Sequence, residues 1–486
     1  MSRFSDQLQD LIKERDVKIY TLAAVSGIDR TFIHKMLKGE RVPADDSVVQ
    51  SLATSLLLTP SETEALMQSY RISKMGEWHY VHRKFIKDSF NLFDKLSAEN
   101  NISVNTDYHH QIDVRPGNTS VYGSLEINNV VKAVIEMEAS KQNGKIQIVA
   151  QPEYSFLFEY LALAGINRHD LTIDHIVCLE SSAKDNSLYN LNCLRVAMPV
   201  LVAGCKYNPM CYYDNISSHF GTTSIMPYMI LTSEYAVNIS YDISFATVSN
   251  FRQYIELYSQ IFKSIMQKTM PMVTVLRSHI EYLTYFKTVM ASFGHADHHL
   301  TYAPCLLYFI TEEMLHKYLN EPLPQHKTIF VTIKQCLKEL NQTLESSPVQ
   351  TIYFSEDGLD EFLRTGRIFE VPKNCYSPFD PVDRYRLLEI MYDAALKGRY
   401  RPVLINSNVL KAPPSLSFFS FGNSAVSFVC TIPSERYSVF TITEKSIVYA
   451  FHDFLDYLPE SDMVYSPEET LAVIKYKLDH RMKNIS

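Results

Sequence analysis

Six side chains between residues 30 and 38 have the chemistry needed to contact nucleic acid. They combine positive charge, hydrogen-bond donors and one aromatic ring: Arg30, Thr31, Phe32, His34, Lys35 and Lys38. Base edges in the major groove offer acceptors and methyl groups, and phosphates attract cations. A helix over this stretch would carry these side chains on its solvent face, where they match what a DNA duplex requires of a protein surface.

A second concentration of reactive side chains lies further along the chain. The densest histidine cluster consists of four nearly consecutive residues, His295, Asp297, His298 and His299. Consecutive residues on a loop seldom converge on one metal ion, so a solvated loop is favoured over a metal site. Glu313 and His316 form an ExxH pair, but a di-metal helical bundle needs two such pairs. Both are interpreted as exposed helix residues.

Motifs of catalysis are missing from the sequence. It has no Gly-rich phosphate loop, no GxSxG and no HExxH motif. We therefore predict no catalytic residue, no metal ligand and no cofactor, and we do not expect the chain to be an enzyme.

Capping residues and glycines predict five short helices in residues 1–76. Asp29 is a suitable N-cap for the helix that carries the six side chains, and Gly39 follows its end. Gly27 lies in the tight turn before Asp29, where glycine allows a positive φ. Thr59 to Glu62 form a capping box with proline at the first helical position. The pattern predicts an all-α domain.

The helix pair around Gly27 resembles the helix-turn-helix of Cro/C1-type (XRE family) regulators. The shared pattern places Leu-Ala on the second helix, glycine in the turn, apolar residues on the buried side of the third helix, and glycine and proline after it: Leu22, Ala23, Gly27, Ile28, Ile33, Met36, Gly39 and Pro43. Ile19 stands where this family commonly has Gln, and Leu37 where it often has Glu. The resemblance covers residues 6–75 and implies a head whose third helix reads the major groove.

Residues 77–123 are predicted to connect this head to the rest of the chain. Apolar residues recur near heptad spacing at positions 78, 81, 85, 92, 93 and 96. The resulting helix could pack on the next domain or form the seam of a homodimer. Residues 100–124 are polar, rich in Asn and contain Pro116-Gly117, so they are interpreted as a linker or exposed loop.

From residue 124 onward, predicted helices and strands alternate, which indicates an α/β body with a mixed sheet. We assign residues 124–275 to a first lobe, 276–350 to a mainly helical middle and 351–486 to a second lobe. The strand–helix order resembles that of non-catalytic phospholipase-D-like sensor domains, and the HxKxxxxD motif of the active enzymes is absent.

The two lobes could have arisen by duplication. At an offset of 193, four residues of the first lobe align with four of the second: Leu194, Met198, Tyr207 and Pro209 with Leu387, Met391, Tyr400 and Pro402. A second alignment pairs residues 231–242 with 442–453 and predicts a strand over residues 446–451. Chance similarity is the alternative. The Tyr-x-Pro segments would lie at strand entrances, where ligands often bind, although core packing is the favoured role.

Charge and composition set broad limits on function. The chain of 486 residues has a net charge of −8, while residues 1–42 hold eight Lys and Arg against six Asp and Glu. Residues 1–42 are thus at +2 and the remainder at −10, which argues against a protein that coats nucleic acid along its whole surface. No apolar run reaches the ~18 residues that span a bilayer. Eight scattered cysteines without a CxxC pair favour a reduced, cytoplasmic protein without a disulfide framework.

These observations predict a multidomain chain with an all-α helix-turn-helix head and an α/β body. The function expected is sequence-specific transcriptional regulation. The expected partners are a double-stranded DNA operator, a second copy of the chain, and a small-molecule or peptide effector sensed by the body. The alternative is a DNA-tethered interaction or scaffold protein, related to mobile elements or defence, that senses no ligand.

Overall fold

The protein, seen in a computed structural model, divides into two units, Met1–Ile86 and Lys87–Ser486. The structure describes residues 2–99, 118–166, 168–181, 187–216, 224–276, 296–320, 330–339, 350–369, 371, 375–414, 416–432 and 436–480. None of the helices in these ranges is both long and apolar enough to cross a membrane.

The first unit is a bundle of short helices, as the caps predicted. Its helices are α1 (Arg3–Glu14), α2 (Ile19–Ser26), α3 (Arg30–Leu37), α4 (Asp46–Ser55) and α5 (Pro60–Met75). Thr59 and Glu62 form the predicted capping box at the start of α5. The core is apolar and draws on all five helices, with Leu8, Leu22, Met36, Leu52 and Leu66 each at most 1% exposed.

Helix α6 (Glu77–Glu99) begins in the first unit and continues into the second. Its most buried described side chains are His82, Ile86 and Phe90, one helical turn apart. Trp78, Val81 and Phe85, which begin the predicted dimer seam, are half-buried instead. The later seam positions, 92, 93 and 96, lie outside the described side chains. The helix is therefore confirmed, and its use as a dimer seam stays a prediction.

The second unit is an α/β body with two mixed sheets. The elements that build the first sheet and its helices are β1 (Asn118–Tyr122), α7 (Ser124–Ala139), β2 (Lys145–Val149), α8 (Ser155–Gly165), β3 (Thr172–Glu180), α9 (Ser187–Val202), β4 (Lys206–Asp214), β5 (Tyr228–Leu231), β6 (Ala236–Ile239), β7 (Phe245–Ser249), α10 (Arg252–Met266) and β8 (Met270–Pro271). The strands lie in the order β1-β7-β6-β5-β2-β3-β4-β8. Residues 118–122 were assigned to the linker, which was wrong, because β1 pairs with β7 at the sheet edge.

The second sheet is built from the later part of the chain. The strands of this sheet and the helices of the same lobe are β9 (Thr274–Leu276), β10 (His298–Leu300), α11 (Glu312–Tyr318), β11 (Thr351–Phe354), α12 (Glu356–Thr365), α13 (Pro381–Leu396), β12 (Arg401–Leu404), β13 (Leu416–Phe421), β14 (Ala425–Ile432), β15 (Arg436–Ile442), α14 (Lys445–Tyr457) and α15 (Pro467–Asp479). The strands lie in the order β12-β11-β10-β13-β14-β15-β9. Residues 330–339 are also helical, and 277–295, 321–329 and 340–349 of the predicted helical middle lie outside the described residues.

Both sheets follow the same strand order. Read from the parallel edge, the first runs β4-β3-β2-β5-β6-β7-β1 and the second β12-β11-β10-β13-β14-β15-β9, with β8 as an addition to the first. In each, three parallel strands are followed by antiparallel ones. The 193-residue alignment therefore joins matching elements, α9 with α13 and β4 with β12. The second alignment was wrong, because residues 445–457 form helix α14 and not a strand.

The two lobes of the body contact each other through polar side chains as well as helix packing. Asn190 on α9 donates to Ser446 at the start of α14 over 3.1 Å. The Tyr213 hydroxyl donates to the Glu444 carboxylate over 3.1 Å, and the Ser438 hydroxyl donates to the carbonyl of Leu201 over 3.3 Å. The sheets are thus held together by bonds between residues more than 200 positions apart.

The Tyr-x-Pro tyrosines are core residues. Tyr207 is fully buried, and its hydroxyl lies 2.7 Å from Nδ1 of His175, whose Nε2 lies 3.1 Å from the carbonyl of Ala150. A carbonyl only accepts, so Nε2 carries the proton and the tyrosine donates to Nδ1. Tyr400 is likewise buried and donates to the carbonyl of Cys305. Both tyrosines pack inside the lobes, which was the favoured interpretation.

We expect the body to lose stability as the pH falls from 6.5 to 4. Burial lowers the pKa of His175 to about 4, so the unfolded chain binds a proton in this range that the folded chain refuses. Its contribution is complete above pH 6.5 and declines by about 3 kcal/mol towards pH 4. Urea unfolding of His175→Gln, followed by circular dichroism, should show a smaller decline. An identical pH dependence in both proteins would contradict this assignment.

All eight cysteines lie in the described ranges; none of them is joined to another by a disulfide bond, and seven are buried.

Candidate nucleic-acid interface

The turn between α2 and α3 is set by its backbone. Gly27 ends α2 with φ of 71°, in the left-handed region, and its amide donates to the carbonyl of Ala23. A side chain at Gly27 would meet nothing within 4 Å, so the glycine is needed for its backbone conformation and not for space. Two residues later Asp29 caps α3, accepting from the amide of Phe32 over 3.0 Å. The predicted turn and N-cap are both confirmed.

Helix α3 has one buried and one open face. Ile33, Met36 and Leu37 lie in the core of the first unit. On the opposite side, Arg30, Thr31 and Lys38 are exposed, while His34 and Lys35 are half-buried between them. Because residues three and four apart share a face, these five side chains form one surface, which we call the α3 face.

Phe32 does not belong to the α3 face. It is half-buried and packs against the apolar core of the first unit at the border of the helix. Ile19 and Leu37, the two departures from the family pattern, also contribute to this core. Their apolar side chains are thus explained by packing.

The three cations of the α3 face form no ion pair with the described residues of the head. Ion pairs of the first unit join Arg3 with Glu77, Arg15 with Glu62, and Arg71 with Asp46. Arg30, Lys35 and Lys38 make no ion pair with any residue that the structure describes, and α3 itself carries no acidic side chain. A cation without an internal partner can approach a phosphate without first breaking a bond.

The α3 face offers a defined set of contacts. The guanidinium of Arg30 can form two parallel hydrogen bonds to O6 and N7 of guanine, and Lys35 can donate to the same acceptors. Lys38, at the C-terminal end of the helix, carries a charge suited to a phosphate. Thr31 and His34 add shorter polar groups between them.

Removing the α3 cap is expected to loosen the helix. Asp29→Ala leaves the Phe32 amide without its acceptor, which typically costs ~1 kcal/mol. Trp78 is the single tryptophan and lies in the first unit, so its fluorescence during urea unfolding reports on that unit. Glu40→Ala, which removes an exposed carboxylate just beyond α3, is the matched control. Equal stability of the two variants would contradict the capping role.

The histidine cluster near residue 297 is arranged differently from the expectation. His298 and His299 lie in strand β10, not in a loop, and therefore point to opposite faces of the sheet. His299 is buried and stacks on Phe419 with ring centroids 3.9 Å apart. His295 lies outside the described residues. His316, on α11, is exposed as predicted, and its Nε2 lies 3.9 Å from Oε1 of Glu312.

Comparisons with known proteins leave the family open. No protein-family model and no curated protein matches the chain. Among solved structures, it is similar to TrmBL2, an archaeal chromatin protein described as showing a novel mode of DNA binding (15% identity, 55% of this chain, 98% of that chain, TM-score 0.23). It is also similar to polyphosphate kinase from Porphyromonas gingivalis (10% identity, 74% and 56%, TM-score 0.23). A third is phosphatidylserine synthase from Haemophilus influenzae (8% identity, 76% and 94%, TM-score 0.23).

Two of these three structures are of enzymes. The prediction that the chain is not an enzyme is therefore contradicted and does not stand. At TM-scores of 0.23, none of the three likenesses assigns an activity, a substrate or a partner to this chain.

Proposed function

We propose that the protein is a sequence-specific regulator of transcription that binds double-stranded DNA through the α3 face. The observation that carries the proposal is a short helix with a fully buried side and, opposite it, three cations that no described carboxylate neutralises. The preceding turn at Gly27 and the resemblance to Cro/C1-type regulators agree with this use of the helix.

The distribution of charge supports a local contact with DNA. The first 42 residues have a net charge of +2 and the remaining chain −10. Phosphates attract residues 1–42 and repel the acidic body, so the body is expected to lie away from the duplex. A body of this size is available to sense a signal. Its two lobes, joined through α9 and α14, could close on a small-molecule or peptide effector and change the relative position of two DNA-bound heads.

Selection of binding sites tests the proposal directly. The full-length protein would be incubated with a pool of random duplexes, and bound sequences would be amplified over several rounds. We expect one enriched motif, bound ~10³-fold or more tighter than an unrelated duplex at the same salt concentration. Affinity should fall with rising salt, because cations on the protein displace counterions from phosphates. Retention of no duplex above background would exclude DNA binding.

We further propose that the regulator acts as a homodimer. A single α3 offers a small interface, whereas two heads related by a two-fold axis read two half-sites about one helical turn apart. The enriched motif is therefore expected to be palindromic. Light scattering at micromolar concentration should give twice the mass of one chain. The mass of a single chain, with and without the selected duplex, would contradict the dimer.

A further inference from the structure

Four ionisable side chains meet where β10 packs beneath α14. Asp297 and His298 come from the start of β10, and His452 and Asp456 lie one turn apart on α14, so they face the strand together. One ligand atom from each of Asp297, His298 and His452 lies within 4.8 Å of the others. The two histidines are mostly shielded from solvent, with side chains 12% and 19% exposed.

Two atoms of this cluster, Nδ1 of His452 and Oδ2 of Asp297, lie close together but form no hydrogen bond. Nδ1 of His452 is buried, makes no hydrogen bond to a described residue, and lies 3.7 Å from Oδ2 of Asp297. That distance is too long for a hydrogen bond. It is close to the ~3.3 Å between two ligand atoms of a tetrahedral ion with bonds of about 2.0–2.1 Å.

The Asp297 carboxylate is held in place from its other side. Its Oδ1 accepts from the backbone amides of His298, over 3.0 Å, and of Gly422, over 3.2 Å. These two bonds fix the rotation of the carboxylate and leave Oδ2 directed at His452. A ligand oriented in this way needs little rearrangement to bind an ion.

Asp456 is placed to orient the imidazole of His298 and also lies close to that of His452. Its Oδ1 lies 3.2 Å from Nε2 of His298, and its Oδ2 lies 3.6 Å from Nε2 of His452. When Nε2 of His298 donates to this carboxylate, Nδ1 of that ring is unprotonated and able to bind a metal. This Nδ1 lies 3.5 Å from the hydroxyl of Tyr353, at the outer limit of a hydrogen bond.

We propose that Asp297, His298 and His452 bind a divalent first-row transition ion, with Zn²⁺ as the expected occupant, and that Asp456 positions His298. Two imidazoles with one carboxylate suit zinc and related ions, whereas Mg²⁺ and Ca²⁺ prefer sites made of oxygen atoms alone. Three protein ligands leave a coordination position for water or for another small molecule. The site is independent of the α3 face and of the proposed function.

Zinc titration of the full-length, tag-free protein tests the site. After treatment with a chelator, the protein would compete for Zn²⁺ with a chromophoric chelator, and bound zinc would be counted by elemental analysis. We expect one equivalent of tightly bound zinc in the wild type, and a rise in the thermal unfolding temperature on its addition. Asp297→Asn and His452→Ala should each lose that equivalent and that rise. Asp456→Asn should bind zinc ~10- to 100-fold more weakly, because the orienting carboxylate is gone.

A matched control separates this site from ordinary surface histidines. His316→Ala removes an exposed histidine that also lies one helical turn from a carboxylate, Glu312, and it should bind zinc as the wild type does. Asp297→Asn keeps a side-chain oxygen that can accept the two backbone amides, so it is expected to fold even if His452→Ala does not. The proposal is overturned if the wild type binds no zinc, or if Asp297→Asn binds as much and as tightly as the wild type.

Discussion

Replacement of Arg30 or Lys35 by alanine is expected to weaken binding of the selected duplex by about 5- to 150-fold. This corresponds to the ~1–3 kcal/mol that a base-reading side chain typically contributes. Both residues lie on the open face of α3 and neither has an ion-pair partner among the described residues, so the loss would come from DNA contacts and not from a weakened head. Quantitative mobility-shift titration at one salt concentration measures the change.

Lys13→Ala supplies the control for charge alone. Lys13 is exposed on α1, so its replacement removes one positive charge from the head but none from the α3 face. It should change the affinity far less than either α3 variant and should leave the sequence preference intact. If the three variants lost affinity equally, the positive charge of the head would explain the binding wherever that charge lies. The assignment of Arg30 and Lys35 as base-reading residues would then be wrong.

Phe90→Ala is expected to destabilise the body by about 3–5 kcal/mol. Phe90 is 1% exposed, and its ring packs against Phe418 on β13 and against Phe451 and Phe454 on α14, with centroids 5.9–6.5 Å apart. Truncation of a buried aromatic ring loses its transfer free energy and leaves a cavity. Urea unfolding followed by far-ultraviolet circular dichroism would measure the loss.

The same change at an exposed site provides the comparison. Phe251, at the N-terminus of α10, is 49% exposed, so Phe251→Ala should cost much less. Trp78 fluorescence, recorded in the same experiment, reports on the first unit. A small effect of Phe90→Ala on the circular dichroism transition would mean that α6 is not anchored in the body by this ring.

The head could be predicted almost in full because its signals are local. Thr59 and Glu62 lie three residues apart and define a helix start by themselves, and Gly27 permits a turn that few other residues adopt. The position of Phe32 was missed. Its place at the border of α3 depends on packing against the core of the first unit, which helical spacing alone does not determine.

The body shows where local signals fail. The sequence predicts a strand over Ser446–Phe451 because a short apolar run fits both the helical and the strand periodicity. The helix is decided by Glu444, whose carboxylate caps it, and by the buried Phe451, Phe454 and Leu455, whose spacing becomes visible only over a longer window. Strand β1 was missed for another reason. Its polar sequence contains no apolar pattern, and it is a strand because β7 pairs with it.

The cluster at Asp297 was beyond sequence analysis for a topological reason. The argument that consecutive residues seldom converge holds for His298 and His299, which point to opposite faces of β10, but not for Asp297 and His298, which belong to one cluster. The partners of His298 come from α14, more than 150 residues later. They meet only because α14 packs over the second sheet, and no spacing in the sequence encodes that contact.

Methylation interference on the selected duplex tests the central claim most directly. Dimethyl sulfate methylates N7 of guanine in the major groove and N3 of adenine in the minor groove. If α3 reads the major groove, methylated N7 positions in the two half-sites should block binding of the wild type, and Arg30→Ala should lose the sensitivity at the equivalent guanine of each half-site. Interference confined to adenine N3, or none at any base, would contradict a recognition helix in the major groove.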